Sequence, residues 1–465
     1  MSKQDQKELR QQIACEWLEE NYLQFGSLRH DVVTDRLQIR MADSLEDGSA
    51  YSLEFRGKEN WRNLTDKDIN TMVCQCVAEK GVNISTNEMW TALKSDMVPA
   101  VHPLRAWLDG LRPYTADQPD WIDWVASQVR VADNAGSGVQ EFRSLGVTSE
   151  QARSATEPSE PLTSGSSADR LWRACFKKWF VAMVASWMHD EVVNHTALVL
   201  VGRQGIFKTT WLEHLIPPAL RAYSSKLPLS GQISKDDRLR LCENGMLNID
   251  ELDAMCGREM NIVKSLLTST DVNERAAYGR LKERRVRLAS FCASTNKREF
   301  LTDITGNRRW LPFEVESIQN PFHTIIPYER LYAQAKALVE EGIFSYWFDM
   351  EEMEVLEAHN EEFRALENEE QLLPILFDIP AEGKGEFMTT AEISDKLVTY
   401  GGIKKPMNSR KLGMLLSKRG YTKRTMYISG TMVRGWIVYQ READEIKLVK
   451  KRENVLTSLQ PDNLF

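Results

Sequence analysis

The sequence predicts an α/β protein: a P-loop core, a small α+β module before it and a winged-helix-like unit after it. Three observations carry this. First, Ala197-Leu198-Val199-Leu200-Val201 is an unbroken apolar run that stops at Gly202, and a glycine-bearing loop leads from it into Lys208-Thr209-Thr210-Trp211-Leu212. Strand, loop and helix in that order read as a phosphate-binding loop. Second, two later, mostly apolar runs end in polar residues, Met246–Ile249 before Asp250-Glu251 and Val286–Thr295 before Asn296. Third, the last hundred residues hold two helical patterns followed by two alternating segments around Ser429-Gly430, a helix, helix, hairpin order.

Taken from the start, residues 8–24 place Leu9, Ile13, Trp17, Leu18 and Tyr22 at helical spacing. Residues 31–41 alternate in part and read as a strand or hairpin. Thr65 before Asp68, and Ser85 before Glu88, are N-cap signals. They start helices near 66–79 and 86–95, and His102-Pro103 starts another near 103–111. Cys74 and Cys76, two apart on a helix, point to different faces and read as packing. Residues 132–168 shift to Gly, Ser, Asp, Asn and Pro, the composition of a linker. A helix at 169–188 follows, with a wide apolar stripe from Leu171 to Met183.

The loop has a mechanism. Gly202 and Gly205 let backbone N–H groups face a polyphosphate. Arg203, Gln204, Ile206, Phe207 and Thr210 complete the cradle, and the helix N-terminus adds a favourable field. Lys208 reaches the β- and γ-phosphates, and the Thr209 hydroxyl reaches Mg²⁺. Phe207 stands where a glycine is usual, and a side chain there crowds the loop or changes its φ. Asp250 and Glu251 lie about 40 residues after Lys208. Asp250 is suited to hold Mg²⁺ and Glu251 to polarise the attacking water; the expectation is that they come from the strand beside the loop strand. Asn296 can orient that water. Arg308 and Arg309 can stabilise phosphoryl charge, often from a neighbouring subunit. Between these features, Arg275, Tyr278, Arg280, Lys282, Arg284, Arg285 and Arg287 form a basic stretch with an interleaved aromatic, suited to a nucleic-acid backbone and a stacked base.

Residues 320–370 read as helical and acidic, a solvated face that repels DNA. A capped helix opens at Met388-Thr389-Thr390, and a second, near 408–419, carries Arg410, Lys411, Lys418 and Arg419, as a major-groove reader does. Segments 421–428 and 433–439 close the unit, and the tail after Gln440 is charged and frayed.

Composition sets outer bounds. The 465 residues suffice for two to four domains. No apolar run approaches the ~20 residues of a membrane span. The polar N-terminus lacks a signal-peptide core, and the seven cysteines fit neither a disulfide framework nor a zinc site. A cytoplasmic protein is therefore expected. A net charge of −8 argues against a globally basic nucleic-acid binder but leaves local basic patches open.

Taken together, Asn248-Ile249-Asp250-Glu251-Leu252-Asp253, Arg275-x-x-Tyr278-Gly279-Arg280, Ser294-Thr295-Asn296, Glu299-Phe300-Leu301 and Thr305-Gly306-Asn307-Arg308-Arg309 resemble the virulence-associated protein E family over roughly residues 100–320. That family is similar to superfamily 3 helicases and other AAA+-type ATPases of phages and mobile elements. The resemblance implies a doubly wound AAA+-like core, ATP with Mg²⁺, a ring homo-oligomer such as a hexamer, and single-stranded DNA in its pore. It makes Lys208 and Thr209 the P-loop pair, Asp250 and Glu251 the acidic pair, Asn296 the sensor and Arg308 or Arg309 the finger, with the segment around Arg280 near the pore. The expected division is an N-terminal module (1–115), a linker (116–168), the core (169–320), an acidic connector (321–370), a winged-helix-like domain (371–440) and the tail (441–465). The expected function is an ATP-dependent DNA translocase or helicase acting in replication of a mobile element. Alternatives are a weakly hydrolysing, DNA-binding switch or initiator, and a phage-defence ATPase on the same core.

Overall fold

The computed structural model describes residues 3–40, 61–133, 166–227, 234–250, 252, 257–274, 283–302, 307–381, 385–404, 406–428 and 430–449. The chain is a mixed α/β protein with several sheets. It divides into two compact units, Met1–Arg298 with Arg308–His359, and Glu299–Asn307 with Asn360–Phe465.

The first unit begins with helix α1 (Lys3–Leu18), strands β1 (Leu28–Asp31), β2 (Arg36–Arg40) and β3 (Trp61–Asn63), helices α2 (Asp66–Lys80) and α3 (Thr86–Leu93), and strand β4 (Ala100–Val101). The strands form one sheet in the order β3-β2-β1-β4. Both capping boxes read from the sequence are present, Thr65 with Asp68 and Ser85 with Glu88. Ala14, Trp17, Met72, Cys76, Met89 and Leu93 share the core of this region. Cys74, by contrast, is exposed; only one of two helical residues two apart faces the core, so the packing reading fails for it.

Helix α4 (Pro103–Asp109), helix α5 (Trp121–Ala126) and strand β5 (Val129–Val131) lead to helix α6 (Ser167–Met188). The expected linker lies mostly outside the described residues. Fourteen side chains of α6 are buried, so it is covered on nearly all sides. Its indoles pin it to the neighbouring backbone: Trp179 donates to the Phe291 carbonyl at 3.0 Å and Trp187 to that of Gly245 at 3.1 Å.

The main sheet comprises β5, β6 (Ala197–Val201), β7 (Ser224–Lys226), β8 (Met246–Ile249), β11 (Ser290–Thr295) and β12 (Trp310–Ile318). Its spatial order is β5-β12-β6-β11-β8-β7. All neighbours are parallel except β5, which runs antiparallel at the edge. Every residue of β6 and β8 is buried, as expected for parallel strands covered on both faces. Strand β11, late in the chain, lies between β6 and β8. The carboxylate strand is therefore not beside the loop strand, which corrects the expectation.

Helix α7 (Lys208–His214) follows β6, and α8 (Lys235–Glu243) precedes β8. Helix α9 (Gly257–Thr268) leads into a two-stranded hairpin, β9 (Asp271–Glu274) with β10 (Glu283–Val286). Helices α10 (Tyr328–Glu341) and α11 (Met350–Asn360) follow β12. Among the described residues, no helix is long and apolar enough to cross a membrane.

In the second unit, α12 (Asn368–Leu376), β13 (Phe377–Asp378), β14 (Glu386–Met388), α13 (Thr390–Gly401), α14 (Ser409–Lys418), β15 (Thr422–Ile428) and β16 (Thr431–Gln440) pack around Leu373, Phe377, Ile393, Leu412, Leu416 and Trp436. Strand β16 pairs with β13, β14 and β15. Two expectations fail. Residues 443–449 are helical, with Ile446 packed on the core, so the tail is not frayed there. The acidic stretch is not simply a solvated face: Glu352, Glu369 and Glu370 are buried. In the first unit Glu352 pairs with Lys178 at 2.7 Å, and in the second Glu370 binds Arg364. Buried carboxylates need such partners, which helical periodicity does not reveal.

Candidate functional site

The side chains of interest gather at the carboxyl ends of β6, β8 and β11, where open parallel sheets bind ligands. The 202–207 loop leaves β6 with Gly202 at φ +154°. A Cβ there would lie 2.7 Å from the Val315 carbonyl oxygen, so only glycine lets the loop pass β12. Gly205 follows at φ +86° and Phe207 at φ +68°. Phe207 thus keeps the left-handed backbone that a glycine adopts freely, at a cost of about 1–2 kcal/mol. The expectation that φ would change is corrected. Its exposed ring sits edge-on to Phe322, with centroids 6.4 Å apart.

Lys208 is buried beneath this exposed loop. Its Nζ donates to the Gly202 carbonyl at 2.6 Å, to that of Arg203 at 2.8 Å and to Asn296 Oδ1 at 3.0 Å. The hydroxyl of Thr209 lies 3.1 Å from Asp250 Oδ1 and 2.9 Å from Ser294 Oγ, and Ser294 Oγ also donates to Asp250 Oδ1 at 3.2 Å. The other Asp250 oxygen accepts from Lys226 Nζ at 3.0 Å, and Lys226 reaches Glu213 at 3.3 Å. Burial works to raise the Asp250 pKa, but the Lys226 ammonium and the two hydroxyls outweigh it and hold the carboxyl below its ordinary value. Asp250 is accordingly an anion at neutral pH.

Two polar groups therefore lie side by side at this end of the sheet: Lys208 with Asn296, and Thr209, Asp250, Ser294 and Lys226 with Glu213. Ser294 and Lys226 were not assigned roles from the sequence. Ser294 lies near the end of β11, two residues before Asn296, which follows that strand; Lys226 ends β7, aligned with Asn248 of β8. Arg203 and Gln204 are exposed on the loop, and Ile206 and Thr210 are half-buried. Glu251 lies outside the described residues.

Arg308 and Arg309 immediately precede β12, whose Trp310 aligns with Ala197, the first residue of β6. At ~3.3 Å per residue they stand at the opposite edge of the sheet from the loop that follows Val201. They do not meet Lys208 of their own chain.

The basic stretch is divided. Arg275, Tyr278, Arg280 and Lys282 lie outside the described residues. Arg284 pairs with Asp271 at 2.8 Å, and Arg285 reaches Glu243 at 3.4 Å. Arg287 is fully buried and faces no DNA. It donates to the carbonyls of Asn194 (2.6 Å), Leu267 (2.8 Å), Leu266 (2.9 Å), Ala289 (3.0 Å) and Ser269 (3.3 Å). Burial lowers its pKa to about 9, so it stays charged at neutral pH. In the second unit Arg410 is exposed, whereas Lys411 is held by Glu367 and by the Thr302 carbonyl at 3.4 Å.

Residues 155–365 match the Virulence-associated protein E-like domain. The expected resemblance is met, and the domain contains both polar groups. Among solved structures, an A-form apo structure of the NrS-1 C-terminal region (305–718) matches at 10% identity, covering 91% of this chain and 99% of that one, with a TM-score of 0.42. A second apo structure of that region matches at 10% identity over 90% and 97%, with a TM-score of 0.38. No curated protein matches the chain.

The oxygen set formed by Thr209, Asp250 and Ser294 fits a hard divalent cation. One carboxylate and two hydroxyls converge, and among the described residues no three His, Cys, Asp or Glu side chains do. Mg²⁺ is usually held by one or two carboxylates with substrate phosphates rather than by an all-protein cage. The lysine under an exposed glycine-bearing loop fits a phosphate partner.

Proposed function

We propose that the protein is an ATPase that acts on DNA in the replication of a phage or mobile genetic element, as a translocase or helicase on an AAA+-like P-loop core. The observation that carries this reading is the convergence of Lys208, Thr209, Asp250, Ser294 and Asn296 at the carboxyl edge of neighbouring parallel strands. Lys208 exchanges its bonds to the Gly202 and Arg203 carbonyls for phosphate oxygens. Asn296 accepts from that ammonium and would orient the attacking water. Thr209 and Asp250 would hold Mg²⁺, which would supply neutralisation of the phosphate charge. Glu251, next in sequence to Asp250, is the residue to polarise water.

The position of Arg308 and Arg309 supports a homo-oligomer. An arginine at the far edge of its own sheet reaches a phosphate only in a neighbouring subunit, as in a ring, a hexamer for example, with single-stranded DNA in the pore. The helices and hairpin of the second unit support a winged-helix-like DNA-binding domain.

The test is steady-state ATP hydrolysis with and without DNA. Glu251→Gln should still bind ATP while turnover falls about 100-fold or more, the size of loss typical when such a group is removed. An unchanged rate would refute the assignment.

Phe207 favours a second reading, a nucleotide-gated switch with slow hydrolysis. Its left-handed backbone retains the loop, so binding survives, while its exposed ring, edge-on to Phe322, adds bulk where a glycine is usual. Phe207→Gly releases the strain and removes the ring. A several-fold rise in turnover at unchanged ATP affinity supports the switch; turnover equal to the parent's removes it.

A further inference from the structure

From Ile403 to Gln440 the chain carries nine Lys and Arg residues and no Asp or Glu, within a protein of net charge −8. The structure separates the seven that follow Asn408 into two sets. On α14 and its end they are largely engaged: Lys411 with Glu367, Lys418 with Glu361 at 2.6 Å, and Arg419 with the Glu370 carbonyl at 3.3 Å. On the β15–β16 hairpin they are not. Among the described residues Arg424 and Arg434 have no partner, and Lys423 has only the Trp436 ring, 5.7 Å from its Nζ.

All seven residues of β15 are exposed. Its outer half and the facing start of β16 carry large apolar side chains in water: Tyr427 is 77% exposed, Met432 54%, Ile428 46% and Met426 44%. The register aligns Lys423 with Trp436, Thr425 with Arg434 and Tyr427 with Met432. Aligned residues share a face, and residues two apart repeat on it. One face therefore carries Lys423, Arg434 and Tyr427 in succession along the hairpin, and the other carries Arg424, Met426 and Ile428.

We propose that the β15–β16 hairpin, rather than α14, is the nucleic-acid contact of the second unit, with Tyr427 stacking on a base and Lys423, Arg424 and Arg434 on the backbone phosphates. This deepens the DNA reading above and rests on it. A cationic track leading to an exposed aromatic ring is what binds a single strand: the charges follow the phosphates, and any base can stack. An acid-free segment in an acidic protein complements a polyanion. Pairing with a second copy is disfavoured, because an edge strand bearing Lys and Arg repels its own duplicate.

The test uses the full-length protein and a fluorescein-labelled single-stranded oligonucleotide, read by anisotropy across a salt series. Reversing all three cations (Lys423→Glu, Arg424→Glu, Arg434→Glu) should weaken binding at least tenfold and flatten the log–log salt dependence by about 2, as three lost phosphate contacts require. Tyr427→Ala should weaken binding about tenfold and leave the salt slope unchanged. Lys447→Glu, an exposed charge reversal elsewhere in the unit, should bind as the parent does. Melting curves check folding; should the triple variant not fold, Tyr427→Ala decides. Hairpin variants that bind like the parent overturn the inference and spare the DNA reading. A parent that binds no DNA overturns both. The inference also falls if the variants lose only binding to phosphatidylserine vesicles, or only self-association by light scattering, while DNA affinity holds.

Discussion

The basic residues on β10 and just after it, and those on the β15–β16 hairpin, are alike in composition and opposite in environment. In the first region Arg284 and Arg285 have carboxylate partners, and Arg287 is enclosed by five backbone carbonyls. In the second, Arg424 and Arg434 have no partner among the described residues, and exposed Tyr427, Met426, Ile428 and Met432 lie on the same hairpin. The difference teaches that a run of Lys and Arg is a question about partners. A buried guanidinium without a carboxylate is a backbone clamp, holding the end of α9 and the turn before β6 to the start of β11. An exposed guanidinium without one has affinity to spare for a polyanion.

The largest effect that could break this contrast is at Arg287. Arg287→Met keeps apolar volume but leaves several buried carbonyls unsatisfied, so urea unfolding should show a loss of about 3–5 kcal/mol. A loss under about 1 kcal/mol would mean that the clamp contributes little and that the two regions differ less than their geometry indicates. A much smaller effect is expected at Arg284, whose ion pair with Asp271 is largely exposed. Arg284→Ala should cost less than about 1 kcal/mol, because exposed pairs are screened and lose side-chain entropy on forming. A larger loss in the same urea titration would place Arg284 among the clamping residues.

Much of the candidate site is legible in the sequence because its signals are local. The apolar run of β6, its stop at Gly202 and the lysine and threonine that follow lie within fourteen residues. Capping signals at Thr65, Ser85 and Thr389 locate helices for the same reason, since each acts within one turn. What the sequence hides is produced by pairing between distant segments. Lys226 meets Asp250 only because β7 lines up beside β8, and Ser294 bridges Thr209 and Asp250 only because β11 enters between β6 and β8. The burial of Glu352, Glu369 and Glu370 depends in the same way on neighbours packed against those helices, not on the acidic pattern itself. Phe207 is a different case. The sequence shows the departure from glycine, but only the backbone shows that the loop keeps its shape despite it.

The central claim is that Lys208, under its loop, is the phosphate contact of a nucleotide site. It is tested most directly by equilibrium titration of a fluorescent ATP analogue with Mg²⁺ into the parent and into Lys208→Ala. The account predicts saturable binding to the parent and at least tenfold weaker binding to the variant, with overlapping melting curves. Equal affinity in the two proteins, or no binding to either, would contradict it.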